Sequence, residues 1–195
     1  MLTDITTLLL QLVNFLLDLY IMTVLLRFLL QVVRADFYNP VSQAIVKATT
    51  PLLRPLRRII PGWRGMDMSC LVLALALQFA QILIPFIFHA SMPSIVPVLV
   101  SSVFMLVGQL LSMYFYLIIA IFILSWVALL NNSGMRHPLA SLIAQLTEPV
   151  LEPIRRVIPP LGMLDLSVMV AFFLIKILQI VLAHTHANVL GLLGY

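Results

Sequence analysis

Apolar positions run along this chain in four long blocks, and the polar residues gather in two stretches between them. A helix needs about 20 apolar residues to cross the ~30 Å hydrocarbon core of a bilayer. The first block predicts a span over about residues 8–33, interrupted by Asp18 and Arg27. The second predicts a span over about residues 68–88, and the last one over about residues 164–183. Between Ile95 and Leu130 no residue is charged. At about 1.5 Å per residue this stretch is too long for one untilted crossing. Pro93 and Pro97 disrupt its beginning, which predicts an interfacial or short helical piece to about Val107 and a third span over about residues 109–130.

A shift of 98 residues superposes two segments without a gap: Pro40 falls on Pro138, Pro51 on Pro149 and Pro55 on Pro153. Arg57-Arg58 falls on Arg155-Arg156, Pro61 on Pro159, and Asp67-x-Ser69 on Asp165-x-Ser167. The sequence therefore predicts a first repeat over residues 1–90, an outer linker or interfacial segment over 91–108, and a second repeat over 109–195. Each repeat holds two crossings, so the chain returns to its starting side and the repeats are parallel, related by an axis along the membrane normal. The predicted fold is all-α: four transmembrane helices as two parallel two-helix repeats, each with a proline- and arginine-rich segment forming short interfacial helices.

In the first such segment Asn39 is a good N-cap and Pro40 suits the first helical position, where no N–H is needed. A short helix to about Lys47 shows Val41, Ile45 and Ala48 on one face. Pro51 is expected to end it, because the residue before a proline is pushed out of the helical region. A second short helix from Pro51 or Pro55 turns Leu52, Leu56, Ile59 and Ile60 to lipid or protein, and Arg54, Arg57 and Arg58 to water and phosphate. Such a helix lies in the membrane plane, each arginine adding about 1 kcal/mol of attraction to an anionic surface. The plainer alternative is that the segment only re-orients the chain, with its arginines as topology anchors. Asp67 and Asp165 stand where the second and fourth spans begin, as helix caps that complement the positive N-terminal dipole. Ion pairing with the neighbouring arginine pairs, within or between repeats, is compatible with capping.

Composition sharpens the class. Hydrophobic residues make up 63% of the chain and charged ones 9%, against about a quarter charged in a soluble domain. The net charge of +4 would suit nucleic acid, but nine of the eleven Lys and Arg lie within 34–64 and 136–156, the others being Arg27 and Lys176. Basic loops beside spans mark the cytoplasmic side. Both termini then face outward, and no direct nucleic-acid contact is expected. The N-terminal apolar run lacks a positive leader and a small-residue cleavage site, and reads as a retained span.

Charges inside spans are costly and mark functional or structural pairs. Arg27 lies near the basic end of the first span and is expected to snorkel outward. Asp18 and Lys176 lie near mid-span at depths about 4.5 Å apart, which suggests an interhelical ion pair. A proton- or cation-binding role for Asp18 is the alternative. His184 and His186 diverge on a helix and, with His89, read as interfacial polar ends rather than metal ligands. Glu148 and Glu152 are expected as surface partners of Arg155 and Arg156. The lone Cys70 excludes an intramolecular disulfide and reads as a small buried hydrophobe. No phosphate-binding loop, nucleophile elbow or zinc-protease motif occurs. No catalytic residue, cofactor or metal is expected.

The paired runs Asp36-Phe37-Tyr38-Asn39-Pro40, Thr50-Pro51-Leu52-Leu53-Arg54-Pro55-Leu56-Arg57-Arg58-Ile59-Ile60-Pro61 and Glu148-Pro149-Val150-Leu151-Glu152-Pro153-Ile154-Arg155-Arg156-Val157-Ile158-Pro159 resemble the twin repeats of the bacterial YggT family. The second copy departs from the first with His137 for the asparagine and Glu152 for Arg54. The resemblance implies a small multi-pass protein of the bacterial inner membrane. It also implies links to osmotic-shock tolerance and potassium uptake in bacteria, and to division, nucleoid distribution and cytochrome b6 haem assembly in plastid and cyanobacterial relatives. The expected activity is non-enzymatic: organising or assisting assembly in the membrane, with Arg54, Arg57, Arg58, Arg155 and Arg156 contacting anionic headgroups and partner membrane proteins. The alternative is a transporter or channel component in osmotic or potassium homeostasis, with a polar path lined by Asp18, Gln78, Gln81 or Lys176. No small-xxx-small motif stands out in the spans, so the sequence leaves the oligomeric state open.

Overall fold

In the computed structural model the described residues are 2–63, 65–88, 93–131, 137–158 and 165–194. They form six helices: α1 (Leu2–Val32), α2 (Pro40–Leu56), α3 (Met68–Phe88), α4 (Ile95–Asn131), α5 (Pro138–Val157) and α6 (Leu166–Leu192). Four of them are long and apolar enough to cross a membrane, over Ile5–Val32, Met68–Phe86, Ile95–Val127 and Leu166–Leu192. Helices α2 and α5 are amphipathic and shorter. Their first residues, and those of α3 and α6, stand 98 positions apart, the offset of the sequence match.

Two expected breaks are absent. Helix α2 runs unbroken through Pro51 and Pro55 instead of dividing into two short helices. Pro51 removes the N–H that would serve the Lys47 carbonyl and crowds the preceding turn. That turn is held by other donors: the Thr49 hydroxyl donates to the Ile45 carbonyl at 2.7 Å, and the Thr50 hydroxyl donates to Val46. Arg27 of α1 adds a third donor at the Val46 carbonyl, 3.1 Å away. Helix α4 is likewise one piece from Ile95, with no separate segment ending near Val107. Pro97 falls in its first turn, where a missing N–H costs nothing. Gly108 sits inside the helix, where an added Cβ would meet Leu182 of α6 at 3.7 Å.

The start and end signals act locally. Asn39 caps α2 by accepting the Val41 N–H, and His137 caps α5 through the Leu139 N–H. Helix α1 ends in a Schellman turn: Ala35 N–H donates to the Leu30 carbonyl at 2.9 Å and Arg34 N–H to Gln31 at 3.2 Å. Arg34 takes the left-handed position with φ of 52°. A side chain there costs about 1 kcal/mol relative to glycine.

Burial concentrates toward the amphipathic helices. In α1 the apolar residues Ile5, Leu8, Leu12 and Leu16 are exposed, whereas Ile21, Val24, Leu25, Leu29 and Leu30 are buried. These pack with Ile45 and Leu53 of α2, Cys70, Leu73 and Ala74 of α3, and Met113, Leu142 and Leu146 of the second half. A smaller cluster joins Ile118, Ile121, Leu151, Val168, Ala171 and Ile175. Lipid tails are as apolar as leucine, so close packing and buried polar bonds hold such helices rather than escape from water. Helices α1, α2 and α3 pack on one another, as do α4, α5 and α6, and α3 packs on α4 across the halves. The counterpart of that last contact, α1 against α6, is at most marginal among the described residues. Helix α6 is therefore an outer helix of the assembly.

Candidate functional site

Polar side chains collect at two places: the joint between the spans and the amphipathic helices, and the level of Asp18 within the spans.

At the joint, Arg27 is 7% exposed and does not snorkel outward. The C-terminal half of α2 lies over it, and its Nη1 donates to Thr49 Oγ1 at 2.6 Å and Thr50 Oγ1 at 3.1 Å besides the Val46 carbonyl. One turn further along α1, Gln31 holds the α2–α3 loop from both ends of its amide. Its Nε2 donates to the Gly65 carbonyl at 2.8 Å, and its Oε1 accepts the Asp67 N–H at 3.2 Å. Gly65 has a φ of 80°, a left-handed position that glycine takes without strain. Asp67 accepts the Ser69 N–H through Oδ1 and the Arg57 guanidinium through Oδ2, the latter from Nε at 2.8 Å and also from Nη2. Burial would raise the Asp67 carboxyl. The Arg57 bond and charge, with the Ser69 and Cys70 donors, outweigh that and hold it below the ordinary carboxylate value.

The second half repeats part of this. Asp165 Oδ1 accepts the Ser167 N–H at 3.0 Å, and Oδ2 pairs with Arg155 Nε at 2.9 Å and Nη2 at 2.8 Å. Each arginine–aspartate pair thus closes within its own half, and each aspartate both caps and pairs. Arg155 also reaches Glu148 at 3.2 Å, and Arg156 reaches Glu152 at 2.6 Å on the surface. Arg54, Arg58 and Arg156 are exposed. Beside them stand exposed apolar side chains, Leu52 and Ile59 in the first half and Val157 in the second. Arg64, Arg136, Pro159 and His89 lie outside the described residues. The halves meet where Asn39 Nδ2 donates to the Pro138 carbonyl at 2.7 Å and Asp36 N–H donates to Gln145 Oε1 at 3.0 Å.

Within the spans the structure does not bring Asp18 and Lys176 together. Asp18 Oδ1 accepts from Gln81 Nε2 at 2.9 Å and Gln109 Nε2 at 2.8 Å. Lys176 places its ammonium 4.0 Å from the centre of the Phe115 ring, a cation–π contact. The reason is the packing order: α6 lies against α4 and α5, while Asp18 faces α3 and α4. Depth along a span matched the two charges, but their directions around the bundle do not. Gln81 Nε2 also donates to the Asn14 carbonyl at 3.2 Å, and Gln78 Nε2 to Gln81 Oε1 at 2.9 Å. Asn14 and Gln109 carried no signal of their own in the sequence. An amide one turn before an intramembrane carboxylate is the pattern that would have pointed to Asn14. His186 stacks on Phe104 at 5.0 Å and lies 3.1 Å from Ser101 Oγ, while His184 is exposed on another side of α6.

The profile of the CCB3/YggT family matches residues 6–88 and 100–185, which carry both arginine–aspartate pairs and the Asp18 cluster. The chain belongs to the CCB3/YggT family. It is 42% identical to an uncharacterized protein of Pseudomonas aeruginosa over 90% of this chain and 88% of that one. It is 34% identical to the uncharacterized protein YggT of Escherichia coli K12, over 83% and 82% of the two chains. An uncharacterized protein of Haemophilus influenzae is 37% identical over 81% of this chain and 82% of its own. No solved structure matches.

Proposed function

We propose that this family member is a non-enzymatic organising or assembly-assisting protein of the bacterial inner membrane. In this reading α2 and α5 lie at the cytoplasmic surface, where they contact anionic headgroups and partner membrane proteins, and both termini face outward. The two halves act as parallel repeats joined through Asn39 and Pro138. The observation that carries the reading is the division of α2 and the turn that follows it. Ser42, Ile45, Thr49 and Leu53 are buried against the spans, while Arg54 and Arg58 are exposed next to the apolar Leu52 and Ile59. A helix so divided suits the headgroup boundary, where apolar side chains enter the acyl region and guanidinium groups pair with phosphate.

Arg57 and Arg155 pair with the capping Asp67 and Asp165, so the test uses the other three arginines. Arg54→Ala, Arg58→Ala and Arg156→Ala combined should leave the protein folded but reduce the anionic lipid and the membrane proteins that co-purify with it. Wild-type levels of both would remove the reading.

A second reading, a transporter or channel component in osmotic or potassium homeostasis, draws support from the Asp18 cluster between α1, α3 and α4. It predicts ion flux into liposomes holding the purified protein above that of empty liposomes, and Asp18→Asn should abolish the flux.

A further inference from the structure

We infer that Asp18 is the centre of a binding site for a monovalent alkali cation, set between α1, α3 and α4; it deepens the second reading above and is independent of the headgroup contacts of the first. Asn14 and Asp18 stand one turn apart on α1, Gln78 and Gln81 one turn apart on α3, and Gln109 faces them from α4. The polar bonds among them tie the three helices at one level.

Two features are left over by that network. The first is charge. Neither α3 nor α4 carries a charged residue. The remaining cations of the spans are engaged elsewhere, Arg27 with α2 and Lys176 over Phe115. An amide N–H orients a carboxylate but does not cancel its charge, and an uncancelled charge in hydrocarbon is strongly unfavourable. The second is a surplus of acceptors. Asn14 Oδ1, Gln78 Oε1 and Gln109 Oε1 are buried and have no hydrogen-bond partner among the described residues, and Gln78 is 0% exposed. A buried acceptor left unpaired is destabilising.

One proton on Asp18 would cancel the charge yet supply a single donor, leaving at least two of the three oxygens unserved. Water would serve the oxygens and leave the charge. A cation answers both needs, because it is attracted to the carboxylate and accepts several oxygen ligands at once. Carboxylate and amide oxygens are hard donors, which favour alkali and alkaline-earth ions over transition metals. One carboxylate balanced by one single charge leaves the site neutral in the membrane, whereas a divalent ion would leave it positive.

The test is thermal unfolding of the full chain in lipid nanodiscs at fixed pH and ionic strength, with sodium, potassium or lithium chloride titrated against choline chloride. The wild type should gain several degrees in Tm with saturating dependence on one of the alkali ions. Asp18→Asn should lose the dependence, and Lys176→Gln should keep it. Gln78→Leu removes one acceptor at similar volume, and should shift the half-saturating concentration by on the order of tenfold. That variant keeps the proposal testable should Asp18→Asn fail to fold. An equal Tm in choline and in all three alkali salts overturns the proposal. So does an alkali dependence that survives in Asp18→Asn, or a stabilisation obtained by lowering pH equally in choline and alkali salts, which would make the proton the counter-charge.

Discussion

The two joints between spans and amphipathic helices share one sequence pattern and are fastened differently. In the first, α1 reaches across: Arg27 bonds three oxygens of α2, and Gln31 clamps the loop before α3. In the second, the residue at the position of Arg27 is Ser125, whose hydroxyl turns back to the Phe122 carbonyl of its own helix. The second joint relies instead on exposed pairs, Glu148 with Arg155 and Glu152 with Arg156. Exposed pairs contribute about 0–1 kcal/mol, whereas breaking a buried, charge-assisted network leaves groups unsatisfied and costs several times more. The same motif is thus fastened by a buried network in the first half and laced by exposed pairs in the second.

The largest expected effect separates the joints outright. Arg27→Met should cost about 2–4 kcal/mol, because Thr49, Thr50 and the Val46 carbonyl lose a charged donor beside Pro51. Ser125→Ala should cost within about 0.5 kcal/mol. Reversible unfolding in detergent measures both, and equal losses would erase the distinction.

A middle-sized effect is expected at the caps. Asp67→Asn should destabilise by about 1–3 kcal/mol and Asp165→Asn by less, because the Asp67 side chain is 8% exposed and that of Asp165 27%. The Asp67 carboxyl is held below its ordinary value. Its contribution is therefore complete above the unfolded-state value of about 3.9. It is lost as pH falls through that value toward the lowered folded one. A Tm-against-pH series should show an acid limb for the wild type that is flattened in Asp67→Asn. The smallest effect is expected at Glu152→Ala, within about 0.5 kcal/mol. A loss as large as that of Asp67→Asn would show the surface pairs to be a real fastening of the second joint.

Much of the fold was legible because its signals are local. The four apolar blocks, the N-caps at Asn39 and Asp165 and the proline at the first position of α2 each act within one turn. The continuity of α2 was not legible, because the donors that tolerate Pro51 include Arg27, a residue of another helix. The continuity of α4 was hidden by Pro97, a residue that breaks a helix interior but not a first turn. At the site, the arginine–aspartate spacing of ten residues recurs in both halves and was visible as a possible pairing. The partners of Asp18 were not visible. Hydropathy gives depth along a span, and only packing decides which spans are neighbours and which way a side chain turns. Gln109 became a partner because α4, not α6, adjoins α1 and α3.

The unbroken α4 has a consequence for the bilayer itself. Its apolar stretch Ile95–Val127 holds 33 residues, about 50 Å of helix. Even at a tilt of about 40°, the upper end of the usual range, it projects about 38 Å along the membrane normal, some 8 Å more than an average hydrocarbon core. Ile95, Val96 and Leu99 at its start are exposed, so no protein among the described residues covers that end. The mismatch favours a thickened annulus around this protein and a preference for thicker bilayers.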